Sequence, residues 1–147
     1  MKPASQRERI AAWAVRIAFA AVFAMNVACA LQFVVAPEAY EAAYGLSGPE
    51  GAVAVRGMGV AFLMWNATYP PLIASPQRFE AFGWVILAQQ AIGLAGEGAI
   101  LATLGPGMGV LAASIGRFAA FDAVGLVAMA VAFGAFLAVR RRARADA

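Results

Sequence analysis

The stretch FEAFGWVILAQQAIGLAGEGAILATL, residues 79–104, is an apolar run broken by a few polar side chains. It exceeds the roughly 20 residues that a helix needs to cross about 30 Å of hydrocarbon. A strand of a membrane barrel would alternate apolar and polar residues over about 10 positions, and this run does not. The stretch therefore predicts a transmembrane helix.

Three further apolar segments of comparable length occupy residues 10–35, 53–73 and 117–139. Hydrophobic residues make up 63% of the 147-residue chain and charged residues 13%, whereas a soluble domain is nearer half apolar and a quarter charged. The sequence predicts one all-α domain over residues 1–147, a polytopic membrane protein with four transmembrane helices in an antiparallel bundle.

The basic residues indicate an orientation in the membrane. Lys2, Arg7 and Arg9 precede the first span, a group of arginines follows the last span from Arg140, and Arg78 lies in the short turn between the second and third spans. The connection over residues 36–51 carries three Glu and no base. By the positive-inside rule both termini are predicted to be cytoplasmic, and we expect the bacterial inner membrane.

The motif ACA at residues 28–30 would also suit the cleavage site of a signal peptide. The apolar run continues through residues 31–35, so we expect a retained helix.

The first connection contains PEAYEAAYGL, residues 37–46, which is typical of a short amphipathic helix outside the membrane core. Pro37 can begin it and Gly45 can end it. Tyr40 and Tyr44 are four residues apart and share a face. We expect this helix to lie on the membrane surface with the tyrosines toward the lipid headgroups; an ordinary loop is the alternative.

Polar residues inside the spans form two layers when a rise of about 1.5 Å per residue sets their depth. The outer layer holds the charged residues Arg56, Glu97, Arg117 and Asp122. The deeper layer holds the amides Asn66, Gln89 and Gln90, and Asn26 of the first helix lies between the layers.

The spacing of these residues predicts that they face one another. Asn66 shares a helix face with Gly59, and Gln90 shares one with Gly93, because the steps of three and four follow the helical period. Small residues let membrane helices approach closely, and a lipid-facing charge costs at least about 2.5 kcal/mol. We therefore expect Asn66 to approach Gln90 across the second and third spans.

The charged layer is predicted to form two ion pairs, Arg56 with Glu97 and Arg117 with Asp122, or the crossed combination. One interpretation is a structural lock between helices. The other is a pocket or path in which Glu97 carries a proton or binds a headgroup, since ionisable residues within a membrane raise a functional hypothesis. The sequence leaves both open.

Several classes of site are not expected. The chain has no His, so neither a haem nor a zinc site is predicted, and the single cysteine, Cys29, excludes an intrachain disulfide. Without His, Ser114 and Thr103 have no evident activator, so we predict no metal site and no catalytic residue. An enzymatic function stays open as the third and least favoured alternative. No basic patch interleaved with aromatics indicates nucleic-acid binding.

The first half of the chain resembles the DoxX-like group of small four-helix membrane proteins. The matching features are FVVAPEAY at residues 33–40, YGLSGPEG at residues 44–51 and RGMGVAF at residues 56–62. The resemblance implies a membrane subunit associated with quinone-linked oxidoreductases, and it carries over no catalytic residue.

The functional expectation is a small integral membrane protein, embedded in the lipid bilayer. It is either a non-catalytic subunit of a membrane complex or a binder of a lipophilic small molecule, a quinone, lipid or pigment, between its helices. Its partners would be further copies of itself or a larger membrane complex. The alternative is an oligomeric transporter or channel for a small ion or solute, with Asn66, Gln90 and Glu97 along its path.

Overall fold

Five α-helices and two 3-10 turns form the regular structure of residues 5–145, which the computed structural model describes. The α-helices are α1 (Gln6–Val35), α2 (Gly48–Asn66), α3 (Tyr69–Ala74), α4 (Glu80–Thr103) and α5 (Gly109–Ala145). The 3-10 turns, Pro37–Ala39 and Glu41–Tyr44, lie between α1 and α2. The predicted all-α class is confirmed for these residues. Lys2, one of the basic residues used to predict the orientation, lies outside them.

Three helices, α1, α4 and α5, are long and apolar enough to cross a membrane. They correspond to the predicted spans over residues 10–35, 79–104 and 117–139. The start of α5 lies at Gly109, several residues before the predicted start, because the stretch after Met108 contains no proline and no charge to stop a helix.

The predicted second span, residues 53–73, is not one helix. α2 ends at Asn66 and α3 begins at Tyr69, followed by Pro70 and Pro71. Proline lacks a backbone donor and its ring clashes with the preceding helical turn, so α2 cannot continue through this motif. α3 is a separate helix that turns the chain toward α4.

The packing order of the long helices differs from the expected one. α2 packs on α1, α1 packs on α5, and α5 packs on α4, while α3 contacts both α1 and α4. The backbones of α2 and α4 were expected to be close neighbours because a short turn joins them, but they make no extensive contact. α3 occupies the space that a direct hairpin would have closed.

An aromatic core lies on the side of the molecule nearer the chain termini. The Phe19 ring is 6.2 Å from the rings of both Tyr69 and Phe133, and all three side chains are buried. Edge-to-face and tilted pairs of this kind add about 0.5–1.5 kcal/mol each to the burial of their surface. Leu72 and Ile86 complete the contact of α3 and α4 with this core.

Polar contacts fix the same end of the molecule, which we call the termini end. Arg16 of α1 donates to the carbonyls of Ile73 and Ala74, at 3.2 and 3.1 Å, and so satisfies the last carbonyls of α3. Arg140 of α5 forms an ion pair with Glu80 of α4. These contacts join α1 to α3 and α5 to α4.

The outer surface is strongly apolar on each of the four long helices. Ile17, Met64, Ile92 and Val124 are all exposed by two thirds or more of their surface. In water, each Å² of apolar area that stays exposed forgoes about 25 cal/mol of the stabilising free energy that burial would provide. A hydrocarbon environment removes this cost.

α1 and α2 approach each other closely at Gly59. A Cβ atom at this position would lie 2.8 Å from the Ala30 carbonyl oxygen and 2.9 Å from the Phe33 Cβ. The contact includes backbone, so the neighbour cannot move aside cheaply. Only glycine allows this helix spacing.

We predict that Gly59→Ala lowers the free energy of unfolding by about 1–3 kcal/mol, the usual cost of overpacking. Gly57→Ala is the control, because a Cβ there meets nothing within 4 Å and alanine favours a helix by up to about 1 kcal/mol. Thermal unfolding in mild detergent measures both. Equal behaviour of the two variants would contradict the close approach.

Candidate functional site

A cavity of about 380 Å³ lies between α1, α2, α4 and α5, beneath the connection that holds the 3-10 turns. Most of the polar residues singled out in the sequence line it. They are Asn26, Asn66, Gln90, Glu97, Arg117 and Asp122. Arg56 and Gln89 do not.

Aromatic side chains form much of the cavity wall. The Phe33 ring lies 6.1 Å from the Phe62 ring and 6.3 Å from the Phe118 ring, and Trp65 and Phe121 also line the space. None of these aromatic residues was predicted to line a site, and neither were Met25, Cys29 and Ser114, which line the cavity as well. Nothing in a helical repeat of apolar residues distinguishes a side chain that faces a cavity from one that fills a core.

The connection covers the cavity, and the prediction for its tyrosines is wrong. Tyr40 and Tyr44 were expected to point toward headgroups, but their rings lie 4.9 and 5.8 Å from the ring of Phe33. Tyr40 also donates a hydrogen bond of 2.6 Å to Gln32 Oε1. The predicted amphipathic helix is instead a pair of 3-10 turns, ended by Gly45 at φ 67°. Both tyrosine rings pack against Phe33 and therefore do not point toward the headgroups.

Tyr44 carries a neutral hydroxyl in this position. Burial raises its pKa to about 12, and the neighbouring Cys29 and Glu97 groups act in the same direction. The Tyr44 ring also stacks at 6.5 Å from Phe118. Tyr44 therefore belongs to the aromatic wall of the cavity that Glu97 also lines.

Two buried amides lie deeper along the cavity. Asn66 is 3% exposed and Gln90 is 2% exposed. The Asn66 Nδ2 donates to the Phe62 carbonyl at 2.8 Å, while its Oδ1 is buried without a hydrogen-bond partner. The Gln90 Nε2 donates to the Asp122 carbonyl at 3.4 Å. The two amides share one cavity, as expected, but no hydrogen bond between them appears among residues 5–145.

The predicted ion pairs do not form. No salt bridge joins Arg56, Glu97, Arg117 and Asp122 within the part of the chain that the structure describes. Arg56 is exposed and its Nε donates instead to the Val34 carbonyl, at 3.2 Å. The reason is the packing order: α2 lies against α1, so Arg56 reaches the end of α1 and not α4.

The carboxylates are thus left without arginine partners. Glu97 is half-buried and its Oε2 is inaccessible and unpartnered. Asp122 is half-buried, and Arg117 is exposed at the edge of the cavity. The cavity is lined by two acids and one base, and two buried acceptor oxygens in its wall, Asn66 Oδ1 and Glu97 Oε2, have no hydrogen-bond partner.

Gly93, in the middle of the QQAIGLAGEG motif, has a steric role. A Cβ atom there would lie 2.8 Å from Trp65 Cη2 and 3.8 Å from an Asp122 carboxylate oxygen. The indole of α2 therefore lies against the bare backbone of α4. Trp65 fills the distance between the two helices, and the cavity extends beside it.

Gln89 serves a different purpose from Gln90. Its Oε1 accepts a hydrogen bond of 3.2 Å from the Thr68 hydroxyl, which lies at the break between α2 and α3. This hydrogen bond therefore joins α4 to the residues that connect α2 and α3. The sequence grouped the two amides together because adjacent residues on a helix share a depth, although they point about 100° apart.

The cavity chemistry suits binding better than metal chemistry. No group of three or more His, Cys, Asp or Glu within residues 5–145 could hold a metal ion. The cavity offers aromatic faces, amide and carboxylate oxygens, and a guanidinium at its edge. Such a mostly apolar space with a few polar groups is typical of a small-molecule site.

A comparison of the chain with protein-family models, curated proteins and solved structures finds no match. The resemblance of its first half to DoxX-like proteins stays a prediction.

We predict that Gly93→Ala destabilises the protein by about 1–3 kcal/mol, because the added methyl forces the Trp65 ring away from α4. The matched control is Gly96→Ala, one turn further along α4, where a Cβ meets nothing within 4 Å. Unfolding in mild detergent gives the two free energies. If Gly93→Ala is as stable as Gly96→Ala, Trp65 does not lie against this glycine.

Proposed function

We propose that the protein is a non-catalytic integral membrane protein that binds a small lipophilic molecule in the cavity. The observation that carries this proposal is an aromatic-lined space whose wall contains a buried amide oxygen and a buried carboxylate oxygen without partners, Asn66 Oδ1 and Glu97 Oε2. Either atom left unpaired costs about 1–3 kcal/mol. A ligand that pairs with them recovers that cost.

The geometry favours this proposal over a structural lock. A lock would bring Glu97 or Asp122 against an arginine, because breaking a buried pair costs about 3–5 kcal/mol. Arg56 lies against the Val34 carbonyl instead, and among residues 5–145 no ion pair involves either of the two acids. The polar groups therefore surround a space and do not clamp the helices together.

The volume is in the range of known ligand sites. Small-molecule cavities measure about 300–1,000 Å³, and this one measures about 380 Å³. It has room for one ring system or one headgroup with its first apolar atoms. A quinone head, a lipid or a small pigment falls in this size class.

The proposed placement has four membrane spans. α2 with 19 residues reaches about 28 Å at 1.5 Å per residue, and its exposed Met64 suits contact with lipid. Basic residues at the termini end support cytoplasmic termini in a bacterial inner membrane. The connection then covers the cavity from the opposite side of the membrane.

The apolar outer surface supports contact with further membrane proteins. The helices could pack against further copies of the chain or against a larger complex, since small residues such as the exposed Gly57, Gly96 and Gly134 allow close helix contacts. In either assembly this chain would contribute the binding cavity. The DoxX-like resemblance agrees with a subunit of this kind.

We predict that a lipophilic molecule co-purifies with the wild-type protein in mild detergent and is lost from Ala43→Trp. Ala43 lines the cavity from the connection, so an indole there fills it. Ala42→Trp is the control, because Ala42 is exposed and lies outside the cavity. Mass spectrometry of organic extracts measures the bound molecule. The proposal is wrong if the wild type carries nothing, or if both variants retain the molecule equally.

A second prediction separates binding from stability. Asn66→Leu removes an unsatisfied buried oxygen, so the free energy of unfolding should stay level or rise, whereas the co-purifying molecule should decrease. Gln89→Leu should do the reverse, losing about 1 kcal/mol with the Thr68 hydrogen bond and keeping the molecule. Loss of stability in Asn66→Leu with unchanged binding would assign Asn66 a structural role.

A further inference from the structure

We infer that the cavity recognises an organic cation, a protonated amine that carries at least one N–H group on an apolar body. This inference rests on the proposed function and specifies its ligand. Three independent features of the site support it: the direction of the unused hydrogen bonds, the balance of charge, and the arrangement of aromatic rings.

The unused hydrogen-bonding groups are acceptors. Asn66 orients its amide by donating to the Phe62 carbonyl, which leaves Oδ1 as the unpartnered atom. Glu97 Oε2 is an unpartnered acceptor as well. The Gln90 amide already donates to the Asp122 carbonyl. A ligand that itself offers only acceptors, such as the carbonyls of an oxidised quinone, would leave these oxygens unpaired.

Acidic side chains outnumber basic ones among the described residues that line the cavity, and Arg56 is not one of these residues. Glu97 and Asp122 both line the space, and Arg117, exposed at its edge, is the one cationic side chain among its described lining residues. A positively charged ligand would compensate the excess of carboxylate. In a medium of low dielectric constant such compensation is much stronger than in water.

Aromatic faces surround the same region. The rings of Phe33, Tyr44 and Phe118 form a triangle with centroid distances of 5.8, 6.3 and 6.5 Å. Glu97 lies near enough to Tyr44 to act on its hydroxyl electrostatically. Aromatic rings within about 6 Å of an organic cation stabilise it through their quadrupoles. The rings and the two acids line one cavity, and both kinds of group favour a cationic ligand.

The test compares two probes of the same shape. N,N-dimethylbenzylammonium and its carbon isostere isobutylbenzene have the same shape and differ in the charge and in the N–H donor. Equilibrium dialysis against the purified full chain in mild detergent should show saturable binding of the cation, weakened at least about tenfold by Glu97→Gln or Asp122→Asn. Glu38→Gln is the matched control, since Glu38 is exposed on the connection and outside the cavity. Its affinity should equal that of the wild type.

A further variant covers the case in which a charge substitution prevents folding. Phe118→Leu keeps an apolar side chain but removes one aromatic face, so it should weaken binding of the cation and leave the isostere unaffected. The inference is overturned if the cation does not bind saturably, if the neutral isostere binds equally well, or if neither carboxylate variant alters cation binding. In each case co-purification of a molecule with the wild type still decides the proposed function separately.

A competition identifies the source of the cationic group. Displacement of the probe by short-chain phosphatidylethanolamine but not by phosphatidylglycerol of the same chains supports the inference with a lipid headgroup as ligand. Displacement by neither supports it with a free organic cation. Equal displacement by both lipids would mean that an acyl chain occupies the cavity, and would overturn the inference.

Discussion

The separation of α2 from α4 is the constraint on which the site depends. The motif of Tyr69, Pro70 and Pro71 ends α2 and inserts α3 before α4, so the two long helices cannot close as a tight hairpin. Trp65 then lies across the gap against Gly93, where a side chain of any size would collide with the ring. The space beside the indole is the cavity. The contact of Trp65 with Gly93 thus separates α2 from α4, and the polar residues of the two helices line the space beside it.

Much of the fold follows from local sequence. The apolar runs predict three long helices to within a few residues at most ends, whereas the predicted second span ran through the double proline beyond which α2 does not continue. The inward orientation of Asn66, Gln90, Glu97 and Asp122 follows from their helical spacing to glycine and from the cost of exposing polar groups to hydrocarbon. These predictions need only the period of a helix and the chemistry of each side chain.

The contacts between helices could not be predicted in the same way. The pairing of Arg56 with Glu97 assumed that helices joined by a short turn are packed together, and the packing of α2 on α1 made that assumption wrong. Arg56 donates instead to the Val34 backbone carbonyl, and the sequence does not indicate which backbone carbonyl a side chain will reach. The inward rings of Tyr40 and Tyr44 depend likewise on Phe33, a residue from another helix. Which helices pack against one another, and how each is rotated about its own axis, depend on contacts between residues that are distant in sequence.

The central claim is that the space between α2 and α4 is occupied by a small molecule. An experimental density map of the wild-type protein in a lipid nanodisc tests it most directly. The account predicts non-protein density beside Trp65, within hydrogen-bonding distance of Asn66 Oδ1 and near Glu97, with Arg56 on the Val34 carbonyl. A map in which α2 packs directly on α4, the cavity is closed and Glu97 is paired with an arginine would contradict it.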